Sequence, residues 1–157
     1  MRAIVARVVA EPGLEWWGLA RGARFVDAIE AAAEAMPGAA LDVSTFMLGH
    51  LDAVRLAALG VRRVMSCRTM VTMRDAREEA KLRESLGDRL RMGWTHAKFA
   101  VLALEGRTVS ILTSANATKN LRWESYLVTD CPSFAALLLE HLDELDRLGA
   151  EPWRGSD

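Results

Sequence analysis

The sequence predicts a single α/β domain whose central sheet is mixed, mostly parallel and sandwiched by helices. In the first half of the chain, apolar runs typical of strands alternate with segments of helical spacing. Two apolar runs then follow one another closely after Thr95, which adds a pair of adjacent strands and makes the sheet mixed. With 157 residues, of which 51% are hydrophobic, the chain is long enough to bury a core as one domain covering 1–157.

Strand and helix signals alternate up to residue 67. Strands are predicted over 1–10, 41–48 and 61–67, and helices over 21–36 and 51–59. Pro37-Gly38 ends the first helix, and Gly60 suits the C-terminal cap of the second. The intervening residues 11–18 form a predicted loop, in which Trp16 and Trp17 cap a core or an interface, or stack on bases.

The second half begins with charged residues and ends with an amphipathic helix. A mostly charged, exposed helix is predicted over 74–91, followed by strands over 95–104, 107–113 and 125–129. Pro132 opens the last helix, whose apolar stripe ends at Leu148. His141 lies within this stripe, which favours a packed or interfacial position.

Charge and composition limit the classes of function. The net charge of −1 argues against a protein that coats nucleic acid, although residues 62–98 hold ten Lys or Arg against five Asp or Glu. No apolar segment is long enough to span a membrane and no secretory signal is recognisable, so we expect a cytoplasmic protein with two reduced cysteines. No spacing typical of metal ligands occurs, so neither a metal nor a cofactor is expected.

Four polar residues are spaced so that a hairpin brings them together. In a strand, alternate side chains share a face, so His96 and Lys98 point one way, and so do Ser114 and Asn116. A three-residue hairpin loop over 105–107 sets Lys98 opposite Ser114 and His96 opposite Asn116. A two-residue loop would shift the pairing by one residue and break up the cluster.

Such a cluster suits phosphoryl chemistry. A neutral imidazole such as that of His96 can attack phosphorus and form a phosphohistidine, which water then hydrolyses. Lys98 and the amide of Asn116 can hold the oxygens on which negative charge builds up, and Ser114 can donate one more hydrogen bond. The carboxylate of Glu124 can accept from the second ring nitrogen and so orient the histidine.

The wider pattern comprises His96-x-Lys98, Thr113-Ser114-x-Asn116, Asn120 and Glu124. It resembles the His-Lys-Asp signature of the phospholipase D superfamily, in particular its small bacterial nucleases and metal-independent restriction endonucleases. The resemblance implies a phospholipase D-like fold and a metal-independent phosphodiesterase that acts on DNA or RNA. It makes His96 the nucleophile and Glu124 its orienting carboxylate, with Lys98 and Asn116 binding phosphate and Ser114 assisting.

Two positions depart from this signature. Its Asp corresponds to Ala103, and the Gly before its Ser corresponds to Thr113. In the family that Asp supports the motif rather than reacting, and the nuclease branch also lacks it. The departures keep open a second hypothesis, a catalytically weak or inactive module with the same fold that binds phosphate or nucleic acid.

The resemblance also implies a partner, because members need two such motifs and this chain has one. We therefore expect a homodimer in which two copies of His96 face each other, one attacking and one protonating the leaving group. His50 is a rival source of the acid within one chain. The predicted substrate contacts are Asn120, Arg122, for which a surface salt bridge is equally plausible, and Trp94, for which core packing is equally plausible.

Overall fold

The computed structural model describes residues 1–67, 76–118 and 122–148, which form helices around a seven-stranded sheet. The helices are α1 (Arg2–Ala10), α2 (Phe25–Ala35), α3 (His50–Ala58), α4 (Ala76–Leu86) and α5 (Pro132–Arg147). The strands are β1 (Trp16–Arg21), β2 (Ala40–Thr45), β3 (Arg63–Cys67), β4 (Leu90–Gly93), β5 (Phe99–Leu104), β6 (Arg107–Thr113) and β7 (Trp123–Thr129). A short 3-10 helix, Gly87–Arg89, joins α4 to β4.

The sheet has the strand order β1-β7-β6-β5-β2-β3-β4 and is mostly antiparallel. Among the strands of the described residues, the pairs β2–β3 and β3–β4 alone are parallel, and their connections contain α3 and α4. The other four pairs, β1–β7, β7–β6, β6–β5 and β5–β2, are antiparallel. The prediction of a mixed sheet is confirmed, and the prediction that it is mostly parallel is wrong.

The first segment is a helix and not the predicted strand. Val5, Val8 and Val9 of α1 are buried, and their spacing of three and four residues is that of one helical face. This face packs against α2. Burial of three valines on one side outweighs the modest strand preference of β-branched residues.

The following residues form a strand where a loop was predicted. Alternate residues of β1 are more exposed, and the whole strand pairs with β7 from Trp16–Val128 to Arg21–Trp123. The tryptophan pair therefore lies in an edge strand, with Trp16 packed against the core and Trp17 exposed.

The charged segment also differs from the prediction of one helix over 74–91. Its helix α4 ends at Leu86, and residues 90–93 form β4, which pairs with β3. Leu90 and Met92 are both buried in this short edge strand. The first two residues of the predicted helix, 74 and 75, lie outside the described residues.

The other predicted elements are confirmed to within a few residues. Gly60 follows α3 with a φ of 71°, a left-handed conformation that glycine adopts without strain. Pro132 occupies the first turn of α5, where its missing N–H removes no helical hydrogen bond. The side chain of His141 in α5 is exposed, so its predicted packed position is wrong and its interfacial position stays a prediction; its ring centroid lies 6.1 Å from that of Phe99.

Helices cover the two faces of the sheet unequally. The larger core lies between the sheet and α1, α2, α3 and α4, and includes Phe25, Ile29, Leu56 and Ile111. On the opposite face, α5 is the only helix of the described residues that packs on the sheet, through a smaller cluster around Phe99. Consequently β1 and β7, at one edge, carry exposed apolar side chains on this second face. Within the described residues, no helix is both long enough and apolar enough to cross a bilayer.

Candidate active site

The two residues of the His-x-Lys pattern lie just before a strand. Strand β5 begins at Phe99, so His96 and Lys98 belong to the irregular segment 94–98 that joins it to β4. Because β2 and β5 are antiparallel, the carboxyl end of β2 meets the start of β5, where Ser44 pairs with Phe99. The segment therefore sits at one end of the sheet, next to the last residues of β2.

Buried hydroxyls hold this segment in place. Ser44 Oγ lies 3.2 Å from Thr95 Oγ1 and donates to the carbonyl oxygen of Ala97 at 3.1 Å. The N–H of Ala97 in turn donates to Thr95 Oγ1 at 3.2 Å. Ser44 and Thr95 are buried, so these bonds are shielded from water. They fix the backbone on both sides of His96.

The hairpin between β5 and β6 has a two-residue turn instead of the predicted three-residue loop. Leu104 pairs with Arg107 across Glu105-Gly106, whose φ angles of 49° and 81° are both positive, as a type I′ turn requires. Continuing this register, the N–H of Thr113 donates to the carbonyl of Lys98 at 2.9 Å. Lys98 is thus opposite Thr113, and the predicted pairing with Ser114 is wrong.

Despite the shifted register, three of the predicted residues line one open cleft. His96, Lys98 and Ser114 border a space of about 410 Å³, together with Trp17, Leu112, Thr113, Ser125 and Tyr126. His96 Nδ1 lies 3.2 Å from Lys98 Nζ, which also donates to the His96 carbonyl at 2.7 Å. The imidazole is exposed, whereas Lys98 is only 6% exposed. An imidazole open to solvent therefore lies beside a buried ammonium.

Two opposing effects act on the protonation of Lys98. Burial lowers the pKa of its ammonium, and the nearby carboxylate of Glu124 opposes that shift. A bound anion would add to the electrostatic stabilisation that Glu124 already gives to the ammonium.

Phe46, which the sequence analysis did not single out, contacts both residues of the pattern. Its ring centroid lies 4.5 Å from that of His96, with the two planes tilted by 50°, and 5.4 Å from Lys98 Nζ. Phe46 directly follows β2, so the antiparallel pairing of β2 with β5 brings it here. The aromatic ring packs on the imidazole and attracts the cation through its face.

Ser114 connects the cleft to Glu124. Its hydroxyl donates to Glu124 Oε2 and accepts from the N–H of Ser125 at 3.1 Å. Glu124 is 8% exposed, at the start of β7. Thr113, which replaces the glycine of the signature, donates through Oγ1 to the carbonyl of Ser125 at 2.8 Å and accepts from the N–H of Ala115 at 3.0 Å. Its hydroxyl thus ties the end of β6 to β7.

Asn116 is held beside the cleft and is not one of the residues that line it. Its Oδ1 accepts a hydrogen bond from the N–H of Met47 at 3.2 Å, and the next residue, Ala117, donates its N–H to Thr45 Oγ1 at 3.1 Å. Asn116 therefore fastens the segment after β6 to the end of β2. Its role in phosphate binding stays a prediction.

The remaining predicted residues are dispersed. Trp94 is 73% exposed, so the alternative of core packing is wrong. Arg122 is exposed, and its carbonyl accepts from the N–H of Gly22 at 3.2 Å. Asn120 lies outside the described residues. His50, at the start of α3, lines a different cleft together with Arg24.

The position of the missing signature Asp is remote from this cleft. Ala103 lies in β5, five residues beyond Lys98 and roughly 16 Å away along the strand. It pairs with Thr108, whose buried hydroxyl has no hydrogen-bond partner among the described residues. The substitution therefore leaves the groups that line the cleft in place. Within the described residues, no three His, Cys, Asp or Glu side chains form a metal-binding set.

This arrangement of sheet, helices and cleft defines a phospholipase D-like fold, which confirms the fold that the resemblance implied. The structure is similar to that of Nuc from Salmonella typhimurium, a phospholipase D family member, with a TM-score of 0.62 and 17% identity over 85% of this chain and 95% of that one. It is also similar to NucT from Helicobacter pylori, with a TM-score of 0.57 and 14% identity over 85% and 97% of the two chains.

A third similar structure is polyphosphate kinase from Porphyromonas gingivalis, with a TM-score of 0.63 and 15% identity. The match covers 98% of this chain and 28% of the kinase. No protein-family model and no curated protein matches the sequence.

Proposed function

We propose that the protein is a metal-independent phosphodiesterase, a nuclease, that acts through a phosphohistidine at a site shared by two copies of the chain. The observation that carries this proposal is the exposed imidazole of His96 beside the sheltered ammonium of Lys98 in one open cleft. The nucleophile and the phosphate-binding cation of such a reaction need this proximity. The phospholipase D-like fold of the similar structures supports the same reaction class.

The first step requires a ring nitrogen with a free lone pair. In the unliganded protein, Lys98 Nζ faces His96 Nδ1, so a neutral ring carries its hydrogen on Nε2. A bound phosphate attracts the ammonium of Lys98 away from the ring. The hydrogen then moves to Nδ1, where Glu124 accepts it, and Nε2 becomes free to attack.

In this reaction Nε2 forms a bond to phosphorus while the bond to the leaving oxygen breaks. The leaving oxygen takes a proton from the second copy's His96, acting as general acid. Water then attacks the phosphohistidine, losing its proton to that same second imidazole, and the P–N bond breaks. The ammonium of Lys98 stabilises the oxygens of phosphorus in both steps, and the hydroxyl of Ser114 assists by turning its single hydrogen from Glu124 to the bound phosphate.

A second copy of His96 suits the role of general acid better than His50 does. His50 lines the cleft that Arg24 borders, which is separate from the cleft of His96. The ring of His96 is exposed, as an imidazole that meets its symmetry mate across a two-fold axis must be. We therefore retain the homodimer as the proposed active form.

The direct test is turnover of bis(p-nitrophenyl) phosphate and of single- and double-stranded DNA and RNA in the presence of EDTA. We expect release of nitrophenol and cleavage of at least one nucleic acid, both insensitive to the chelator. Absence of turnover with retained nucleic-acid binding would contradict the enzyme and favour the inactive binding module, the hypothesis that Ala103 keeps open.

Subunit mixing tests the shared site. With about a tenfold excess of inactive His96→Ala subunits, nearly every wild-type subunit pairs with an inactive one, so the activity per wild-type subunit is expected to fall about tenfold. Mixing with Leu51→Ala, a change at an exposed side chain of α3, serves as the control and leaves activity per subunit unchanged. Unaltered activity in the first mixture, or sedimentation as an active monomer, refutes the shared site.

The pH profile tests the role of Lys98. The ammonium must carry its charge to bind phosphate, and burial lowers its pKa. Besides the limb that deprotonation of the general acid produces, a further alkaline fall of kcat/KM is therefore expected at a pH below the ordinary lysine value of 10.5. Lys98→Arg is the control, because its guanidinium stays charged and its residual activity lacks this further fall. If Lys98→Arg shows the same alkaline fall of kcat/KM as wild type, that fall belongs to another group and not to Lys98.

A further inference from the structure

Two outer strands expose one face of the sheet beside the cleft. The register of β1 with β7 places Trp17 opposite Leu127 and Arg21 opposite Trp123. Since alternate residues share a face, these four side chains lie on the same side. We call this surface the outer face; it comprises Trp17, Leu19, Arg21, Trp123, Ser125 and Leu127. Helix α5 packs on the same side of the sheet around Phe99 in β5, and the outer face lies beyond it.

The outer face is continuous with the cleft. Trp17, Ser125 and Leu127 line the same space as His96 and Lys98. Trp123 lies four residues along β7 from Leu127, the partner of Trp17, which separates the two tryptophan positions by about 13 Å along the strands. Arg21 is directly opposite Trp123. A nucleic-acid strand that runs from the cleft over β7 therefore passes the indoles of Trp17 and Trp123 and the guanidinium of Arg21.

Exposing these apolar indoles to water is unfavourable in free energy, and a ligand that covers them removes that cost. Trp17 is 75% exposed and Trp123 is 64% exposed, whereas large aromatic side chains are normally much more buried. Aromatic side chains beside a phosphate-binding groove are a common means of binding unpaired bases, because every base has a face on which an indole can stack. In a duplex those faces are already covered by neighbouring bases.

On these grounds we infer that the outer face binds single-stranded nucleic acid, with bases stacked on Trp17 and Trp123 while the adjoining phosphodiester lies at His96. The inference rests on the proposed phosphodiesterase and names the substrate class of that site. Arg21 supplies a positive charge for a phosphate next to the second base. The sequence hypothesis assigned base stacking to Trp16 and Trp17; the inference replaces Trp16, which packs against the core, by Trp123.

Binding is measured by fluorescence anisotropy in the His96→Ala background, so that no oligonucleotide is cleaved. The three probes are a single strand of about 12 nucleotides, an abasic strand of the same length, and the corresponding duplex. Trp17→Ala and Trp123→Ala are each expected to weaken binding of the single strand at least about fivefold. Neither change affects the abasic strand, because its phosphates remain and its bases are absent.

Matched variants separate stacking from a general loss of structure. Trp17→Phe and Trp123→Phe keep a flat aromatic ring, so they retain most of the affinity for the single strand. Leu51→Ala removes an equally exposed apolar side chain from α3 and changes none of the three affinities.

Equal affinity for the base-bearing and abasic strands overturns the inference, even when bis(p-nitrophenyl) phosphate is turned over normally. Conversely, tryptophan-dependent binding without any turnover supports the outer face and refutes the enzyme. If Trp17→Ala and Trp123→Ala convert a dimer to a monomer without lowering the preference for bases, the outer face is a contact between two copies, and the inference is wrong.

Discussion

Replacing His96 by alanine is expected to lower kcat/KM for bis(p-nitrophenyl) phosphate at least about a thousandfold. The change removes the nucleophile from one copy and the general acid from the other, so both steps of the proposed reaction lose a participant. The side chain is exposed and its ring packs on Phe46 alone among the aromatic residues described, so the fold is expected to survive its removal. Thermal unfolding of the purified variant checks that expectation.

The other two histidines supply matched controls, because the chain contains three in all. His50→Ala removes the rival acid at the start of α3, and His141→Ala removes an exposed ring on α5. Both variants are expected to keep kcat/KM within about twofold of wild type. If His50→Ala loses as much activity as His96→Ala does, His50 is the general acid. The reaction then needs no second copy of the chain.

The sequence analysis predicted that His96, Lys98 and Ser114 lie together, and they do, but the argument for it was wrong. The argument assumed that the first two residues alternate along a strand and face Ser114 across a three-residue loop. The actual turn has two residues, Glu105 and Gly106, and the pattern precedes β5. Buried hydrogen bonds from Ser44 and Thr95, and not strand alternation, fix the segment that carries both residues.

Long-range pairing accounts for the features that sequence reasoning missed. The direction of a strand depends on which partner it meets, and β2 meets both β3 in parallel and β5 in antiparallel orientation. The second pairing also brings Phe46 against His96 across a separation of fifty positions in the chain. Local periodicity carries no information about such a contact. The helices α2 and α5 were predictable because their apolar stripes and terminal prolines are local signals.

The first twenty residues show how two local signals compete. In α1, buried valines occur at helical spacing within a run whose composition favours a strand. In β1, the alternation of exposed and covered residues is present from Trp16 onward, but Gly18 and the preceding Pro12-Gly13 resemble a loop. In both segments the spacing of the buried residues fits the observed secondary structure better than the residue types do. Packing of α1 against α2 and pairing of β1 with β7 decide which structure forms.

Replacing Lys98 by methionine is expected to lower kcat/KM about a hundredfold or more without destabilising the fold. Methionine keeps an unbranched apolar stem against Phe46 and removes the ammonium, which we propose holds the phosphate oxygens. Since burial lowers the pKa of Lys98, its charged form is disfavoured in the folded state. That unfavourable contribution to stability is present at neutral pH and is relieved as the pH rises through the lowered pKa.

Urea unfolding at neutral pH is therefore expected to give Lys98→Met a free energy of unfolding equal to or greater than that of wild type. Loss of activity without loss of stability indicates that the charge of Lys98 serves function and not the fold. Replacing a lysine with a purely structural role would lower the stability instead. Lys81→Met, at an exposed lysine of α4 that pairs with Glu78, is the control and leaves kcat/KM unchanged. Wild-type turnover in Lys98→Met contradicts a phosphate-binding role, because no neutral thioether can replace the cation in the transition state.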